Sequence, residues 1–561
     1  MQPARSKLTE STVTNSKSQT HVRARTDQKS KDKPDGLSRF PLLSPLAGRV
    51  FRVLWIATIA SNLGTWMQDV GESWLMVSFT TSPILVALVE TAGSLPVVLL
   101  ALPAGALADI IDRRRLLLVT QTWMLVMAAL MGALSIAGLM NPWLLLALTF
   151  TLGLGAALNS PAWQAIVPEL VPHNELPAAM TLTSVAFNVS RAVGPAIGGL
   201  LVAMAGSGSV FLLNAASFLG VIIVIYRWHR VPEKETTPRE HIWGAMRAGI
   251  RYARHAPEVQ AVLIRTAVFI FCASALWALL PLQSRTKLGL GAVGYGVLLG
   301  CLGTGALVGA VLMGKVRANV SNNTLVAMAS VLFAAATFIL AVSEMAWVTG
   351  AAMMLAGVGW IACMSSFNTA AQTVAPAWAR GRVLALFTLI LLGGLAIGAA
   401  AWGAFASRFG ISRTLNLAAA GLIVGLLVNV RYRLVRLEDL SLTPWVHWPE
   451  PVVVVQPRFD DGPVLVTTDY RIDPSRAQEF RHAMRDMRRV RKRDGAYRWA
   501  LYDDTADPSR FVETYLVESW GEHLRQHTRI TEADRKIEER AYGFHLGDGP
   551  PEVKHLIAER V

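Results

Sequence analysis

Between residues 51 and 431 the chain runs through one apolar stretch after another, each about as long as a hydrocarbon bilayer is thick. A bilayer core of about 30 Å takes roughly 20 residues of helix, and inside lipid a backbone must satisfy its own hydrogen bonds. Stretches of this length can therefore only be helices. Twelve fit the template: 51–78, 84–107, 116–138, 143–166, 176–204, 208–227, 261–283, 293–314, 324–343, 346–370, 381–406 and 411–431. Turn residues separate them, among them Ser82-Pro83, Asn141-Pro142, Gly206-Ser207-Gly208 and Gly289 to Gly291. The expected fold class is an all-α polytopic membrane protein.

A net charge of +14 raises the question of nucleic acid. The basic residues, however, form short clusters between apolar stretches, and only 16% of the chain is charged, against about 25% in a soluble domain. Membrane lipid is thus the expected surrounding, with no nucleic-acid partner. One set of alternate loops holds Arg49, Arg52, Arg113 to Arg115, Arg227, Arg230, Lys234, Arg239, Arg247, Arg251, Arg254, Lys315, Arg317, Arg380, Arg382, Arg431, Arg433 and Arg436. The other set has only Arg285, Lys287, Arg408 and Arg413. The positive-inside rule then places both termini in the cytoplasm of a bacterial-type inner membrane. The longest basic loop, near 228–258, divides the spans six and six.

The expected plan is a disordered cytoplasmic arm (1–45), a six-helix bundle (46–228), a cytoplasmic linker (229–259), a second six-helix bundle (260–432), a Pro-rich linker (433–463) and a soluble domain (464–561). Cys272, Cys301 and Cys363 lie inside apolar stretches with no metal-ligand spacing, and no cofactor or metal is expected. An internal repeat supports the division. At one constant offset Gly153 meets Gly357, Gly155 meets Gly359, Pro172 meets Pro376, Gly194 meets Gly398 and Gly199 meets Gly403. Two bundles related by a parallel repeat, with a cavity between them, is a transporter architecture.

After the second span stands Gly105-Ala-Leu107-Ala-Asp109-Ile-Ile-Asp112-Arg113-Arg114-Arg115, a tight turn followed by a carboxylate beside arginines. It resembles the loop signature of the major facilitator superfamily, with Ile110 and Asp112 in place of a usual Arg and Gly. The resemblance implies a gate between helices in which Asp109 bonds elsewhere in the bundle, and Arg380 or Arg382 is a candidate partner. A plain topogenic charge cluster is the alternative. The second half has Gly314-Lys315-Val-Arg317 with no acid, so the gate is asymmetric. The fifth span contains Arg191-Ala-Val-Gly194-Pro195-Ala-Ile-Gly198-Gly199, where Pro195 kinks the helix and the glycines admit a neighbouring backbone. This is similar to the G-P-x-x-G-G element of the superfamily's antiporters, which implies export.

Ionisable residues inside apolar spans cost at least about 2.5–3.5 kcal/mol each and face a cavity or a partner. Asp69 and Glu72 share a helical face in the first span, Glu90 lies in the second, and Arg191 in the fifth. Hydrocarbon surroundings favour the neutral form of a carboxyl, the chemistry that proton-coupled export needs. Asp69, Glu72 and Glu90 are the proton-coupling candidates, with Arg191 as an alternating partner; for Asp69 and Glu72 a position facing water at the helix end is the alternative. Trp66, Gln68, Gln164, Asn188 and Asn368 are candidates to line a substrate cavity, and Asn159, Trp74, Trp163, Phe187 and Gln372 are further ones.

In the tail, Val464 to Tyr470 alternates, Pro474 to Arg493 reads as a basic amphipathic helix, Ala496 to Asp503 and Phe511 to Glu518 alternate, and Trp520 onward is helical again. This β-α-β-β-α order suggests a ferredoxin-like α+β domain. It resembles the small dimeric domains of the antibiotic-biosynthesis monooxygenase type, which implies dimerisation or regulation as its role. His523 and His527, one turn apart, read as a solvated helix face. The arginines from Arg481 to Arg493 could touch anionic lipid or pair across a dimer.

Over roughly 46–540 the chain resembles the enterobactin-exporter branch of the superfamily. The resemblance implies a secondary transporter, not an enzyme, that exports a siderophore, drug or other small molecule in exchange for protons. An importer of the same fold, or a membrane-tethered enzyme or sensor acting through the tail, are the alternatives.

Overall fold

A computed structural model describes residues 42–228, 242–435, 445 and 456–559. The expected arm up to residue 41 and much of both linkers lie outside the described residues. Six helices form the first bundle: α1 (Arg49–Phe79), α2 (Pro83–Ile110), α3 (Arg113–Ile136), α4 (Pro142–Leu170), α5 (176–205) and α6 (207–227). An amphipathic helix α7 (Ile242–His255) leads to the second bundle. That bundle consists of α8 (Pro257–Thr286), α9 (Ala292–Asn319), α10 (Asn322–Val342), α11 (Ala346–Thr373), α12 (Ala377–Phe409) and α13 (Ile411–Arg431).

Among the described residues ten helices are long and apolar enough to cross a membrane. One of them, 55 residues from His173 to Arg227, holds two spans, because Gly206 at φ 76° breaks it into α5 and α6. Helix α1 is not among the ten, since Gln68, Asp69 and Glu72 dilute its hydropathy. Counting these two, the bundles comprise twelve spans.

Local chemistry sets the helix ends. Proline opens α2, α4 and α8, where its missing N–H costs nothing. Asn141 caps α4 by accepting from the Leu144 N–H, and Ser321 caps α10 by accepting from Thr324. Asp112 caps α3 by accepting from the Arg115 N–H at 3.0 Å, so this departure from the usual loop glycine has a structural use.

The repeat glycines sit where equivalent helices cross. A Cβ on Gly153 would press on Pro96 of α2, and one on Gly357 on Ala306 of α9; Gly155 faces α3 while Gly359 faces α10. Gly194 meets α1 and Gly398 meets α8, the matching helices of the two halves. Gly199 and Gly403 form the seams between the bundles: a Cβ on Gly199 would lie 2.5 Å from the Ala292 carbonyl of α9, and one on Gly403 would lie 2.5 Å from Ala87 of α2. Thr91 also donates to the Ala396 carbonyl at 2.9 Å, and Arg285 donates to the carbonyl of Val77. The seam contacts at Gly199, Gly403 and Arg285 lie toward the helix ends away from the arginine-rich loops.

The tail is a four-stranded antiparallel sheet of β1 (Val464–Arg471), β2 (Arg498–Asp503), β3 (Arg510–Val517) and β4 (Glu552–Ile557) in the order β2-β3-β1-β4. Helices α14 (Ala477–Asp494), α15 (Trp520–Arg529) and α16 (Glu532–Tyr542) complete it. This is the ferredoxin-like order, with a fourth strand beyond the expected β-α-β-β-α. Two expectations are corrected. His523 is fully buried rather than solvated, because α15 turns it inward against Trp520 and His555. Arg491 and Arg493 face neither lipid nor a second copy: Arg491 pairs with Glu538 at 3.2 Å and Arg493 with Asp534 at 2.6 Å inside the domain.

Candidate substrate cavity and its ionisable residues

A cavity of about 600 Å³ lies within the first bundle, walled by α1, α3, α4, α5 and α6. Asp69, Gln68, Gln164 and Asn188 line it together with Ser61, Asn159, Trp163 and Phe187. Asp69 is exposed to this space, well inside α1 rather than at its end. Behind it Glu72 is 5% exposed and accepts from Gln68 Nε2 at 2.7 Å and Thr149 Oγ1 at 3.1 Å. Gln68 Oε1 in turn accepts from Asn214 Nδ2 at 2.6 Å. A buried carboxylate is tolerated only when donors surround it, and this chain supplies two, from α1 and α4, with Asn214 of α6 fixing the first of them.

Glu90 of α2 is half-buried and hydrogen-bonded with Ser94. Tyr295 of α9 reaches toward the acids: it stacks on Trp74 with centroids 6.1 Å apart, hydrogen-bonds with Ser73, and lies within electrostatic reach of Asp69 and Glu90. The carboxylates thus stand beside a phenol of the opposite bundle.

Arg191 lies at the junction of the bundles. Its guanidinium carbon is 5.6 Å from the Trp66 ring, 5.6 Å from Trp277 and 5.7 Å from Trp360, so helices α1, α8 and α11 each present an indole. No carboxylate pairs with it in this conformation among the described residues. Trp66 is therefore a neighbour of the arginine, with its ring 6.0 Å from Phe187 of the cavity wall. Asn368, on α11, lies outside this cavity and accepts from Gln372.

At the arginine-rich end Arg113 pairs with Glu169 at 2.8 Å, and Arg114 donates to the carbonyls of Ile225 and Tyr226 at 3.1 and 2.5 Å. Leu107 is half-buried. The side chains of Gly105 and Asp109 lie outside the described residues, and with them the expected pairing to Arg380 or Arg382. Arg380 is exposed, whereas Arg382 lies over the Trp378 ring at 5.6 Å. In the antiporter-like element Gly194 and Gly198 press α5 onto α1, with a Cβ placed 2.7 Å from Trp66 Cβ and 2.8 Å from Met67 Cα, while Gly199 presses the other face onto α9. Pro195 is buried there.

A family described as transmembrane secretion effectors matches residues 41–561. The chain belongs to that family. Among relatives, the enterobactin exporter EntS of Escherichia coli is 27% identical over 402 residues, covering 70% of this chain and 94% of the relative. The staphyloferrin A transporter of Staphylococcus aureus is 27% identical over 176 residues, 30% of this chain and 44% of its own, so this match spans less than half of that relative. A bacterial homologue of the human lysosomal transporter Spinster, solved inward-facing and occupied, superposes with a TM-score of 0.57 at 14% identity, covering 70% of this chain and 98% of that one. The fold is the twelve-helix major facilitator fold, and family and fold alike are those of membrane transporters, not enzymes.

The tail rests on α7 and the start of α12. Glu522 of α15 accepts from Arg251 Nη2 and from Arg529 Nη1, each at 2.7 Å. Arg529 also lies 4.5 Å over the Trp378 ring, which Tyr252 meets edge-on at 5.3 Å. Burial works to raise the Glu522 carboxyl, but Arg529 and Arg251 hold it below its ordinary range. On the same helix His523 and His527 stand 3.2 Å apart through their Nε2 atoms, with the His555 ring 4.6 Å from His523. Burial, with His527 and His555 beside it, pushes His523 down to about 3, and burial, with His555 and Arg491, pushes His527 down to about 4. No cluster able to hold a metal occurs among the described residues.

Sequence reasoning missed Thr149, Tyr295, Trp277, Trp360 and the Arg251–Glu522–Arg529 group. A search for charges inside apolar stretches could not find the uncharged ones. The ion group joins residues far apart in the chain that only the tail's docking unites.

Proposed function

We propose that the protein exports a small organic molecule from the cytoplasm across a bacterial inner membrane in exchange for protons, by alternating access. The observation that carries this reading is the set of carboxylates at Asp69, Glu72 and Glu90 gathered beside a polar cavity and against Tyr295 of the other bundle. With both termini cytoplasmic, the arginine-rich end faces inward and the seams at Gly199 and Gly403 close the outer side, so the cavity loads from the cytoplasm. Protons arriving from outside occupy Asp69 and Glu90 once the seams part. The gating loop around Asp109, Arg113 and Arg114, with Arg380 and Arg382, holds the inner side in the other conformation.

The relatives named for enterobactin and staphyloferrin A favour a siderophore or similar metabolite as substrate. The tail acts as a regulator of the second bundle, because its ion pairs and ring contacts tie it to α7 and α12; a row of Leu465, Leu516 and Leu556 on the open sheet face is where a second copy would pair. Metabolite profiling tests the reading: a deletion strain should retain the substrate in its cells and lack it in the medium. Equal distribution in deletion and parent strains would contradict export.

A further inference from the structure

We propose that Arg191 is the anion-recognition group of the substrate site, and that the transported molecule carries an oxyanion such as a carboxylate. This rests on the transport reading and adds the substrate's charge class to it.

Arg191 has five N–H donors and none of them has a hydrogen-bond partner among the described residues; Nε is buried without one. A desolvated guanidinium ordinarily sits beside a carboxylate, because an uncompensated charge in hydrocarbon is costly. Here three indoles hold it by their faces at 5.6, 5.6 and 5.7 Å, which fixes the plane of the group and leaves its N–H edge unused. Such an edge matches a bidentate oxyanion. The carboxylates of the first bundle do not fill this role: Glu72 is engaged with Gln68 and Thr149, Glu90 with Ser94, and Asp69 lines the cavity without an ion pair to Arg191. The place also suits a mobile ligand, since Trp66 belongs to the first bundle and Trp277 and Trp360 to the second. A ligand bound at Arg191 would touch both halves at once. Through Trp66 and Phe187 the cage adjoins the polar cavity.

The test is binding to the full-length protein in lipid nanodiscs at pH 7.5 with no gradient imposed, read by tryptophan fluorescence and calorimetry. Salicylate, citrate, benzamide and phenyltrimethylammonium are the probes. Salicylate should bind at least about tenfold more tightly than benzamide, the scale of one charge-assisted hydrogen bond. Citrate should bind between the two, having the charge without the ring. Arg191→Gln should erase the preference for salicylate over benzamide, with an unchanged melting temperature showing that the variant is folded; Arg191→Lys should keep part of the preference. Equal binding of salicylate and benzamide, tighter binding of the cation, an unchanged preference in Arg191→Gln, or no saturable salicylate binding up to about 10 mM would each overturn the assignment. Because binding is measured without transport, a failure here leaves gradient-driven efflux to be judged separately. Failed efflux with intact anion binding would instead overturn the export reading.

Discussion

The first bundle places Asp69, Glu72, Glu90 and Arg191 within its spans, whereas from Pro257 to Arg431 the second has acidic residues only at Glu258 and Glu344, both at helix ends. Their packing differs in step. Apart from Val70 of α1, the second bundle and α7 share one continuous apolar core from Tyr252 to Leu434. The first bundle's core is broken into separate clusters around Leu117, Met131, Met67 and Phe218, because the cavity and the Glu72 chain run between them. Both bundles bury polar side chains, but the first opens a cavity beside its buried carboxyl and so gives up apolar continuity, and rigidity with it. The proposed proton chemistry therefore belongs to the first bundle, and the second is a stiff partner strapped by the tail.

The hardest blow to this asymmetry is Asp69→Asn combined with Glu90→Gln. Proton-driven efflux from proteoliposomes should fall about a hundredfold or more, the scale of acid–base groups, while Asn368→Ala in the second bundle should keep it within about twofold. Next in size is the strap. Glu522→Gln leaves Arg251 and Arg529 without their shared carboxylate and should loosen the tail from α7 by about 3 kcal/mol, read as faster proteolysis between α13 and β1 with first-bundle cleavage unchanged.

The seams should respond alike in both halves. Gly199→Leu and Gly403→Leu should each destabilise the closed outer side by about 1–3 kcal/mol, seen as greater accessibility of a reporter cysteine placed on the outer side. Gly314→Leu, with nothing within 4 Å of its Cβ position, should not.

The smallest effect comes from the tail histidines. Their folded values, about 3 for His523 and about 4 for His527, lie below the ordinary 6.5, so the stability they contribute is complete above pH 6.5 and is lost as pH falls toward those values. At pH 5.5 the loss should be about 1 kcal/mol per histidine, visible as a lower melting temperature of the Trp520 fluorescence signal and absent in His523→Asn with His527→Asn.

What the sequence made legible follows from the same physics. Span positions could be read because lipid imposes a single length and a single structure, and the starts at Pro83 and Pro142 fell where turn chemistry put them. The polar residues Gln68, Asp69 and Asn188 stood out against hydrocarbon. The Trp277 and Trp360 pair did not, since an indole in a span packs against lipid, helix or ligand with the same composition. Strand β4 was missed because only His555 and Ile557 are partly covered, leaving no clean alternation. The burial of His523 depends on a strand more than twenty residues later, information that no local pattern holds.

The central claim is that protons cross on first-bundle carboxylates. Its most direct measurement is proton movement in sealed proteoliposomes carrying a trapped pH dye, with citrate, whose charge keeps it from crossing lipid unaided, supplied on one side and a pH gradient imposed. The expected result is citrate-dependent proton flux in the native protein that disappears in Asp69→Asn with Glu90→Gln, while citrate binding persists. Undiminished flux in that double variant would contradict it.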